Sequence, residues 1–198
     1  MAARLNILPD PAFLDLKPVL SERLARIGAT IHSSQFGALL DPLMRHALQQ
    51  GFVEAGAHEG TVWLLDENGE NLVPAYNTGP NAEQLRGFKQ PLNTGLICMV
   101  FGSEQPFLEN EVCHNTKQSK LLDKLLQVQT FAMIAVPFYF LDGCRGVISC
   151  VQLKRVGSTE PDPPGFQPGH LESVQRAATV LSQLIEYRLL SCAVGWAC

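Results

Sequence analysis

Two long apolar runs in the second half of the chain set its architecture. The first spans Thr130 to Leu141 and the second spans Gly146 to Leu153, and both are rich in β-branched and aromatic residues. The dipeptide Asp142-Gly143 lies between them, and its residues tolerate the positive φ angles that tight hairpin turns require. The pattern therefore predicts two long antiparallel strands joined by a short turn.

Both predicted strands are apolar at nearly every position, which indicates that both faces of the hairpin are covered. We expect amphipathic helices from the two ends of the chain on one face and the irregular segment 79–128 on the other. A sheet covered in this way can hold a small pocket between the strands and the segment above them. The sequence therefore predicts a functional site in that space.

Composition and charge exclude several classes of protein. The 198 residues are 46% hydrophobic and 17% charged, which is ordinary for one globular domain. The net charge is −4 and no Lys/Arg-rich run is present, so nucleic-acid binding is disfavoured. The sequence has neither a signal peptide nor an apolar run that could span a bilayer, and it predicts a cytoplasmic protein with no membrane contact.

The cysteines do not predict a metal site. They lack a C-x-x-C pair, so neither a zinc ribbon nor a thioredoxin-type site is indicated. In a reducing compartment most of them are expected to be free thiols. The six are Cys98, Cys113, Cys144, Cys150, Cys192 and Cys198.

Amphipathic helices are predicted at both ends of the chain. Ser21 is expected to cap the first helix, and a second helix over 35–52 should break or restart at Asp41 because Pro42 follows it. A third helix is expected from His170 to about Leu190. The first and third carry narrow apolar seams of the kind that pair helices, which predicts a homodimer through the terminal helices. The seams are Leu20, Leu24, Ile27 and Ile31, and Leu171, Val174, Ala178, Leu181 and Ile185.

The middle of the chain predicts shorter elements. Strands are expected at 61–65 and 71–76 around a turn at 66–69, and a short helix is expected at 82–87. Thr94-Gly95 should open a helix that ends at Gly102-Ser103. A short edge strand is expected at 105–108, since Pro106 cannot donate to a central ladder. A further helix is predicted over 117–128.

In this order of elements the chain resembles a GAF domain from about Phe36 to Leu190. Four motifs carry the resemblance, of which the alanine-rich strand with its proline, followed by the turn and a Gly-Val-Ile sequence, is the most specific. The motifs are Gly60-Thr61-Val62-Trp63-Leu64-Leu65-Asp66, Asn93-Thr94-Gly95-Leu96-Ile97, Gln105-Pro106-Phe107, and Ala132-Met133-Ile134-Ala135-Val136-Pro137 with Gly146-Val147-Ile148.

The resemblance implies an α+β fold that is GAF-like and PAS-like. Such a fold has a six-stranded antiparallel sheet, N- and C-terminal helices on one face, and a helical lid over a pocket on the other. Residues 1–34 would then form an N-terminal extension and dimerisation helix, residues 35–190 the GAF domain with its C-terminal helix, and residues 191–198 a tail. No role is assigned to the tail, in which Trp196 is a candidate exposed aromatic.

The resemblance also implies a function. Members of the family are sensory modules that bind cyclic nucleotides, bilins, haem, anions or small metabolites, dimerise through their terminal helices and signal to an output domain. We therefore expect a non-enzymatic sensory or regulatory domain that binds a small molecule, dimerises and signals to a separate output protein. The ligand or cofactor stays unassigned at this point.

The predicted ligand contacts come from the lid and from the sheet beneath it. Lys154 and Arg155 would favour an anionic ligand if they point inward. Alternatively, the predicted contact residues simply fill the space beneath the lid, and the chain is then a ligand-free dimerisation or interaction module. The set comprises Trp63, Cys98, Phe101, Glu109, Cys113, His114, Thr130, Phe131 and Met133.

A thiol enzyme is a second alternative. Cys98 and Cys113 are similar to the thiols of the free methionine sulfoxide reductases, which are GAF enzymes. Cys98 near the start of a helix could gain thiolate character, and Cys113 could resolve the oxidised thiol.

Other family ligands are less well supported by the motifs. Cys113-His114 lies upstream of the position where phytochrome-like GAF domains attach a bilin, which corresponds to 119–125 here. Of the phosphodiesterase-type cyclic-nucleotide motif, this chain retains only Lys154 and Phe166. The histidines lie on separate elements, so an axial haem ligand is not indicated; they are His32, His46, His58, His114 and His170.

Overall fold

The computed structural model describes residues 11–141 and 143–196. Its helices are α1 (Leu16–Thr30), α2 (Ser33–Leu39), α3 (Pro42–Glu54), α4 (Leu96–Ser103), α5 (Leu121–Leu126) and α6 (Pro168–Ala193). Its strands are β1 (Glu59–Leu65), β2 (Asn71–Asn77), β3 (Gln90–Pro91), β4 (Phe107–Glu109), β5 (Val128–Tyr139) and β6 (Cys144–Arg155). Short 3-10 turns occupy Pro11–Phe13 and Val112–His114.

The six strands form one antiparallel sheet in the order β3-β2-β1-β6-β5-β4. The predicted long hairpin is confirmed as β5 and β6, which pair from Val128↔Arg155 to Tyr139↔Cys144. At its tip the Phe140 amide donates to the Gly143 carbonyl at 3.2 Å. Asp142, the other residue of the predicted turn, lies outside the described residues. The α+β architecture with a six-stranded antiparallel sheet is thus present.

Three helices cover one face of the sheet. Helices α2, α3 and α6 pack on the side chains that β1, β5 and β6 present to them, and this layer holds the larger part of the core. Its fully buried members include Phe36, Met44, Leu48, Val62, Ile134, Phe138, Ile148, Leu181 and Ile185. The prediction that helices from both ends of the chain cover one face is confirmed.

A smaller core lies on the opposite face, beneath α4. Trp63 and Val147 rise from the sheet to meet Ile97, Cys98 and Val100 of α4. The parity of β1 explains this division, since Val62 and Leu64 face the three helices while Trp63 between them faces the lid. The lid predicted over this face is therefore present.

The apolar stripe of α6 is used within the chain. Val174, Ala178, Leu181 and Ile185 are buried in the main core, and Leu24 and Ile27 of α1 pack against the same core. The α6 stripe therefore packs within the chain, while the α1 stripe is only half-buried; the homodimer through the terminal helices stays a prediction.

The N-terminal helices begin where proline allows. Helix α1 starts at Leu16, so Ser21 lies inside the helix and the predicted cap is wrong. Pro18 is tolerated because it lies in the first turn, where amides have no partner within the helix. The predicted restart at Asp41 is confirmed: its carboxylate caps α3 by accepting from the Met44 amide at 2.8 Å.

Several boundaries differ from the prediction. Residues 82–87 form turns instead of a helix, while Gln90–Pro91 adds an unpredicted short strand. Helix α5 is only six residues long because Gln127 adopts a positive φ of 54° and ends it. Helix α6 begins two residues before His170, at Pro168, whose fixed φ suits the first helical position.

The tip of the long hairpin is tied to α6. The Ser182 hydroxyl donates to the Tyr139 carbonyl, and the Leu141 amide donates to the Glu186 carboxylate at 3.1 Å. Because Ser182 and Glu186 lie one turn apart on α6, these two bonds fix the end of β5 to one stripe of that helix.

Within the described ranges, no helix is both long and apolar enough to cross a membrane. Cys98, Cys113, Cys144 and Cys150 are free thiols, as expected for most of the cysteines.

Candidate functional site

A cavity of about 70 Å³ lies between the sheet and its lid. Its floor is formed by the faces of β1, β5 and β6 that point away from the main core, and its roof comes from segment 85–97 and segment 118–126. Its apolar wall is formed by Trp63, Leu85, Phe88, Leu96, Ile97, Leu122, Leu126, Val128, Met133, Val151 and Leu153. The predicted space beneath the lid is therefore present.

The size of the cavity limits what it holds without rearrangement. One water molecule takes roughly 30 Å³ in the liquid, and sites for drug-sized ligands are roughly 300–1,000 Å³. The closed cavity therefore accepts a few water molecules or a compound of a few heavy atoms. A larger ligand requires part of the lid to move.

Polar side chains converge on the same cavity. Eight of the lining residues carry a carboxylate, amide or hydroxyl: Glu59, Thr61, Gln90, Gln118, Ser119, Asp123, Thr130 and Ser149. Five of them are buried, the exceptions being Gln118, Ser119 and Asp123. A mostly apolar pocket with a few convergent polar groups is the usual make-up of a small-molecule site.

Two hydroxyls on the floor are held by neighbouring side chains. Ser149 accepts a hydrogen bond from the Trp63 indole at 2.8 Å, and Thr61 accepts one from the Asn77 amide at 2.8 Å. Each hydroxyl therefore keeps its own proton for a further acceptor. The first bond also fixes the Trp63 ring against the cavity, where it meets Phe88 edge to face with centroids 6.2 Å apart.

Asp123 joins the lid to the floor. One of its oxygens accepts from the Thr130 hydroxyl at 2.6 Å, and the other accepts from the Thr130 amide at 3.1 Å and the Gln118 amide at 2.9 Å. These bonds tie α5 to the start of β5 at one end of the cavity. Because none of the six residues of α5 is buried, the tie is a main restraint on this part of the lid.

Glu59 is a buried carboxylate on the floor, with 5% of its surface exposed. Burial raises the pKa of this carboxyl, and hydrogen bonds from Asn81 and Asn77 oppose the rise only in part. Glu59 therefore carries its charge at a cost that a bound positive group would lower.

Gln118 contributes an unpaired acceptor. Its side-chain oxygen is buried without a hydrogen-bond partner, and it is the one such atom within the described part of the chain. The orientation of the amide is set by Asp123, because only the NH₂ end can face that carboxylate. A buried acceptor without a donor is unusual and costs stability.

Three of the nine predicted site residues line this cavity: Trp63, Thr130 and Met133. Phe131 packs with the helices on the opposite face. In a regular strand Phe131 faces away from its neighbour Thr130, and the bulge between Thr130 and Ala132 then returns Met133 to the cavity side.

The other predicted lid residues lie outside the cavity wall. Phe101 packs in the smaller core, and Glu109 accepts from the Asn115 amide at 2.5 Å. His114 is exposed and lies 3.5 Å from Glu111. Cys113 lines an adjoining surface groove of about 630 Å³.

Cys98 lies on α4 but does not reach the cavity. Its thiol donates to the Pro91 carbonyl at 3.3 Å, and burial raises the pKa of this thiol to about 11. Its position near the start of the helix does not offset burial, so the thiol is protonated at neutral pH. Cys98 and Cys113 line different grooves.

The two basic residues at the end of β6 do not line the cavity either. Lys154 pairs with Asp162 at 2.5 Å, and Arg155 is exposed. Leu153 takes the position facing the lid, so parity directs its neighbour Lys154 to the other side of the strand. Nor do the described residues contain a group of three or more potential metal ligands.

Sequence reasoning missed the polar half of the site. Glu59 was overlooked because β1 begins two residues earlier than predicted, at Glu59 instead of Thr61. The alternation of Glu59, Thr61 and Trp63 was the available signal. Gln118 and Asp123 were assigned to a longer helix, and no sequence pattern marked their side chains as facing the sheet.

Comparisons with known proteins agree with this architecture. No family model matches the sequence, and no curated protein matches it either. Among solved structures, the GAF domain/HD domain protein from Geobacter sulfurreducens is 14% identical with a TM-score of 0.59, covering 78% of this chain and 98% of that one.

Two further solved structures extend the similarity. The GAF domain of a phosphoenolpyruvate-protein phosphotransferase from Coxiella burnetii is 14% identical with a TM-score of 0.59, covering 92% of this chain and 97% of that one. A type II free methionine-R-sulfoxide reductase from Thermoplasma acidophilum is 15% identical with a TM-score of 0.50, covering 73% of this chain and 96% of that one. These similarities show that the chain has the GAF fold.

Proposed function

We propose that this GAF-fold chain is a non-enzymatic sensory or regulatory domain whose small-molecule ligand binds in the cavity between the sheet and the lid. The observation that carries the proposal is the convergence of eight polar side chains on an otherwise apolar cavity. A space meant only to be filled would gain nothing from Glu59, which is buried there at an electrostatic cost.

The lid supplies the conformational change that such a sensor needs. Helix α5 is short and has no buried residue, so it can move without disrupting the main core. Binding would order α5 through Asp123, which already holds Thr130. Because Thr130 lies on β5, whose far end is tied to α6, the same strand links the cavity to the C-terminal helix.

The chemistry of Cys98 supports the non-enzymatic assignment. A reductase that works through a thiol needs a thiolate near the bound substrate. Burial raises the pKa of Cys98 instead, and the residue does not line the cavity.

We place the homodimer contact on the exposed apolar residues of the two terminal helices. Helices α1 and α6 pack against each other, and large apolar side chains on these helices and beside their ends are exposed to water. A second copy that covers these residues would bring two copies of α6 together and pass the signal on to a separate output protein. Leu16, Val19 and Tyr187 lie on the helices, and Phe13, Leu14, Val194 and Trp196 lie beside their ends.

Ligand binding is tested by a thermal-shift screen of small metabolites with a cavity-filled control. A compound at 100 times its Kd should raise the Tm of the wild-type protein by about 5–10 °C. The Val151→Trp variant, which fills the cavity from β6, should not respond to the same compound. An equal response in both proteins would place the ligand elsewhere and refute the proposed site.

The dimer is tested by light scattering at micromolar concentration. Val19→Glu puts a charge among the exposed apolar residues of α1 and should shift the protein to monomer. Val156→Glu, at an exposed position in the loop after β6, is the matched control and should stay dimeric. A monomeric wild-type protein would refute the dimer.

A further inference from the structure

The cavity has an uneven distribution of charge. Two of its lining residues are carboxylates, Glu59 and Asp123, and none is a lysine, arginine or histidine. His58, next to Glu59 in sequence, is exposed, and its Nδ1 accepts from the Leu153 amide at 3.0 Å. Phosphate, carboxylate and cyclic-nucleotide ligands would therefore meet like charge with no cation in the wall to hold them.

The hydrogen-bonding groups show the same bias. The Gln118 oxygen is a buried acceptor with no donor, and Asp123 at the same end of the cavity accepts three hydrogen bonds, all from neutral groups. Glu59 adds another acceptor at the floor. A ligand N–H group would satisfy the Gln118 oxygen that the protein leaves without a donor, and a ligand rich in acceptors would not.

The remaining wall suits the apolar part of such a ligand. Trp63 and Phe88 present aromatic rings, and Val151 and Leu126 add aliphatic surface. An aromatic face attracts a cation through its quadrupole and packs well against methylene groups. The volume of about 70 Å³ restricts the ligand in the closed state to a few heavy atoms.

We propose that the ligand is a small organic cation, a primary ammonium compound with a short apolar body, held between the carboxylates of Glu59 and Asp123. This inference rests on the ligand cavity proposed above. The ammonium group donates to the carboxylates and to the Gln118 oxygen, and the apolar body lies against Trp63.

Access to the cavity lies beside the same residues. Gln118, Asp123 and Val128 line both the cavity and the surface groove that holds Cys113. Rotation of Gln118 and displacement of α5 would therefore open the cavity to solvent while β1 and β6 stay in place.

The test compares three probes of equal chain length at pH 7: propylammonium, propanol and propionate. Binding is followed by NMR titration of backbone amides, with Ser149 and Val151 reporting on the cavity floor. Propylammonium should shift these amides in a saturable way, with propanol weaker and propionate without effect. An alkylammonium stays charged at this pH, since its pKa is close to that of lysine, about 10.4.

Variants identify the charge that is responsible. Glu59→Gln and Asp123→Asn should each weaken propylammonium binding at least about tenfold, because each removes a charged acceptor. Glu109→Gln is the matched control, since Glu109 lies on the lid side but does not line the cavity, and it should bind as the wild type does. Two independent carboxylate variants keep the test decisive if one of them fails to fold.

The outcomes separate this inference from the proposed function. Saturable shifts at Ser149 and Val151 with propanol or propionate equal to those with propylammonium would confirm the cavity as a site and overturn its preference for cations. Unchanged propylammonium affinity in both carboxylate variants would overturn the preference as well. Failure of all three probes to shift the floor amides would overturn the cation inference together with the proposed cavity site.

Discussion

Replacing Gly146 with alanine should be costly, because this glycine lies against the backbone of the neighbouring strand. A Cβ atom at Gly146 would lie 1.8 Å from the Trp63 carbonyl oxygen and 2.9 Å from its carbon. Atoms in contact need more than 3 Å, and the obstacle is backbone, so the two strands must separate. Gly146 pairs with Leu64 at the last position of the β1–β6 ladder, and the expected response is that this end opens.

The loss of stability follows from the contacts that break when this end of the β1–β6 ladder separates. Losing about two backbone hydrogen bonds costs roughly 2 kcal/mol, and partial exposure of the Leu64 side chain adds about 1 kcal/mol. We therefore expect the free energy of unfolding to fall by about 2–4 kcal/mol, a large part of the roughly 5–15 kcal/mol of an ordinary domain. The assay is urea denaturation followed by circular dichroism and by Trp63 fluorescence.

Gly169→Ala is the matched control for the same chemical change. Gly169 lies in the first turn of α6, and a Cβ there would meet nothing within 4 Å. This variant should be neutral or more stable by up to about 1 kcal/mol, since alanine loses less backbone freedom on folding. A Gly146→Ala protein within about 0.5 kcal/mol of the wild type would refute the reasoning, because surface substitutions commonly fall in that range.

Three further predictions follow from single side chains. Glu59→Gln should raise the free energy of unfolding at neutral pH. Burial raises the folded-state pKa of Glu59, so the protonated side chain stabilises the fold, and this stabilisation is lost as pH rises above the ordinary value of 4.5. In urea titrations the gain over wild type should shrink as pH falls below that value, and a constant difference would contradict this. Asp41→Ala should lower the free energy of unfolding by about 1 kcal/mol through loss of the α3 cap, while Asp41→Asn should keep most of the capping stabilisation. Equal losses of stability in the two variants would exclude capping as the cause. Cys98 should react with iodoacetamide slowly at pH 7 and faster only as pH approaches 11, as peptide mass spectrometry would show; rapid labelling at pH 7 would contradict the protonated thiol.

The sequence was informative where a physical requirement allowed only one local structure. The apolar hairpin had to be central, and Pro42 had to restart a helix at Asp41, which caps it. Pro106 pointed to an edge strand, and β4 lies at the edge of the sheet. The motifs that resemble GAF domains include Gly146, whose close approach to Trp63 explains why only glycine fits at that point.

The sequence was less informative where tertiary contacts decide. The stripe on α6 has the same spacing whether it packs on a sheet or on a second chain, and only the fold shows that it is intramolecular. The bulge after Thr130 puts both Phe131 and Ala132 on the helix side, so that Met133 lines the cavity together with Thr130. Gln118 and Asp123 line the cavity, and no local pattern marked their side chains or the positive φ at Gln127 that ends α5.

Strand β5 connects the cavity beneath the lid to the C-terminal helix α6. Thr130 lies at the cavity, and Tyr139, nine positions further along, is held by α6, a separation of about 30 Å at the usual rise of an antiparallel strand. The strand is paired with β6 over almost its whole length, with register irregularities near both ends. Under the proposed function, a small displacement at the ligand end of β5 would be passed along the strand to the C-terminal helix, without any element of the fold having to melt or form.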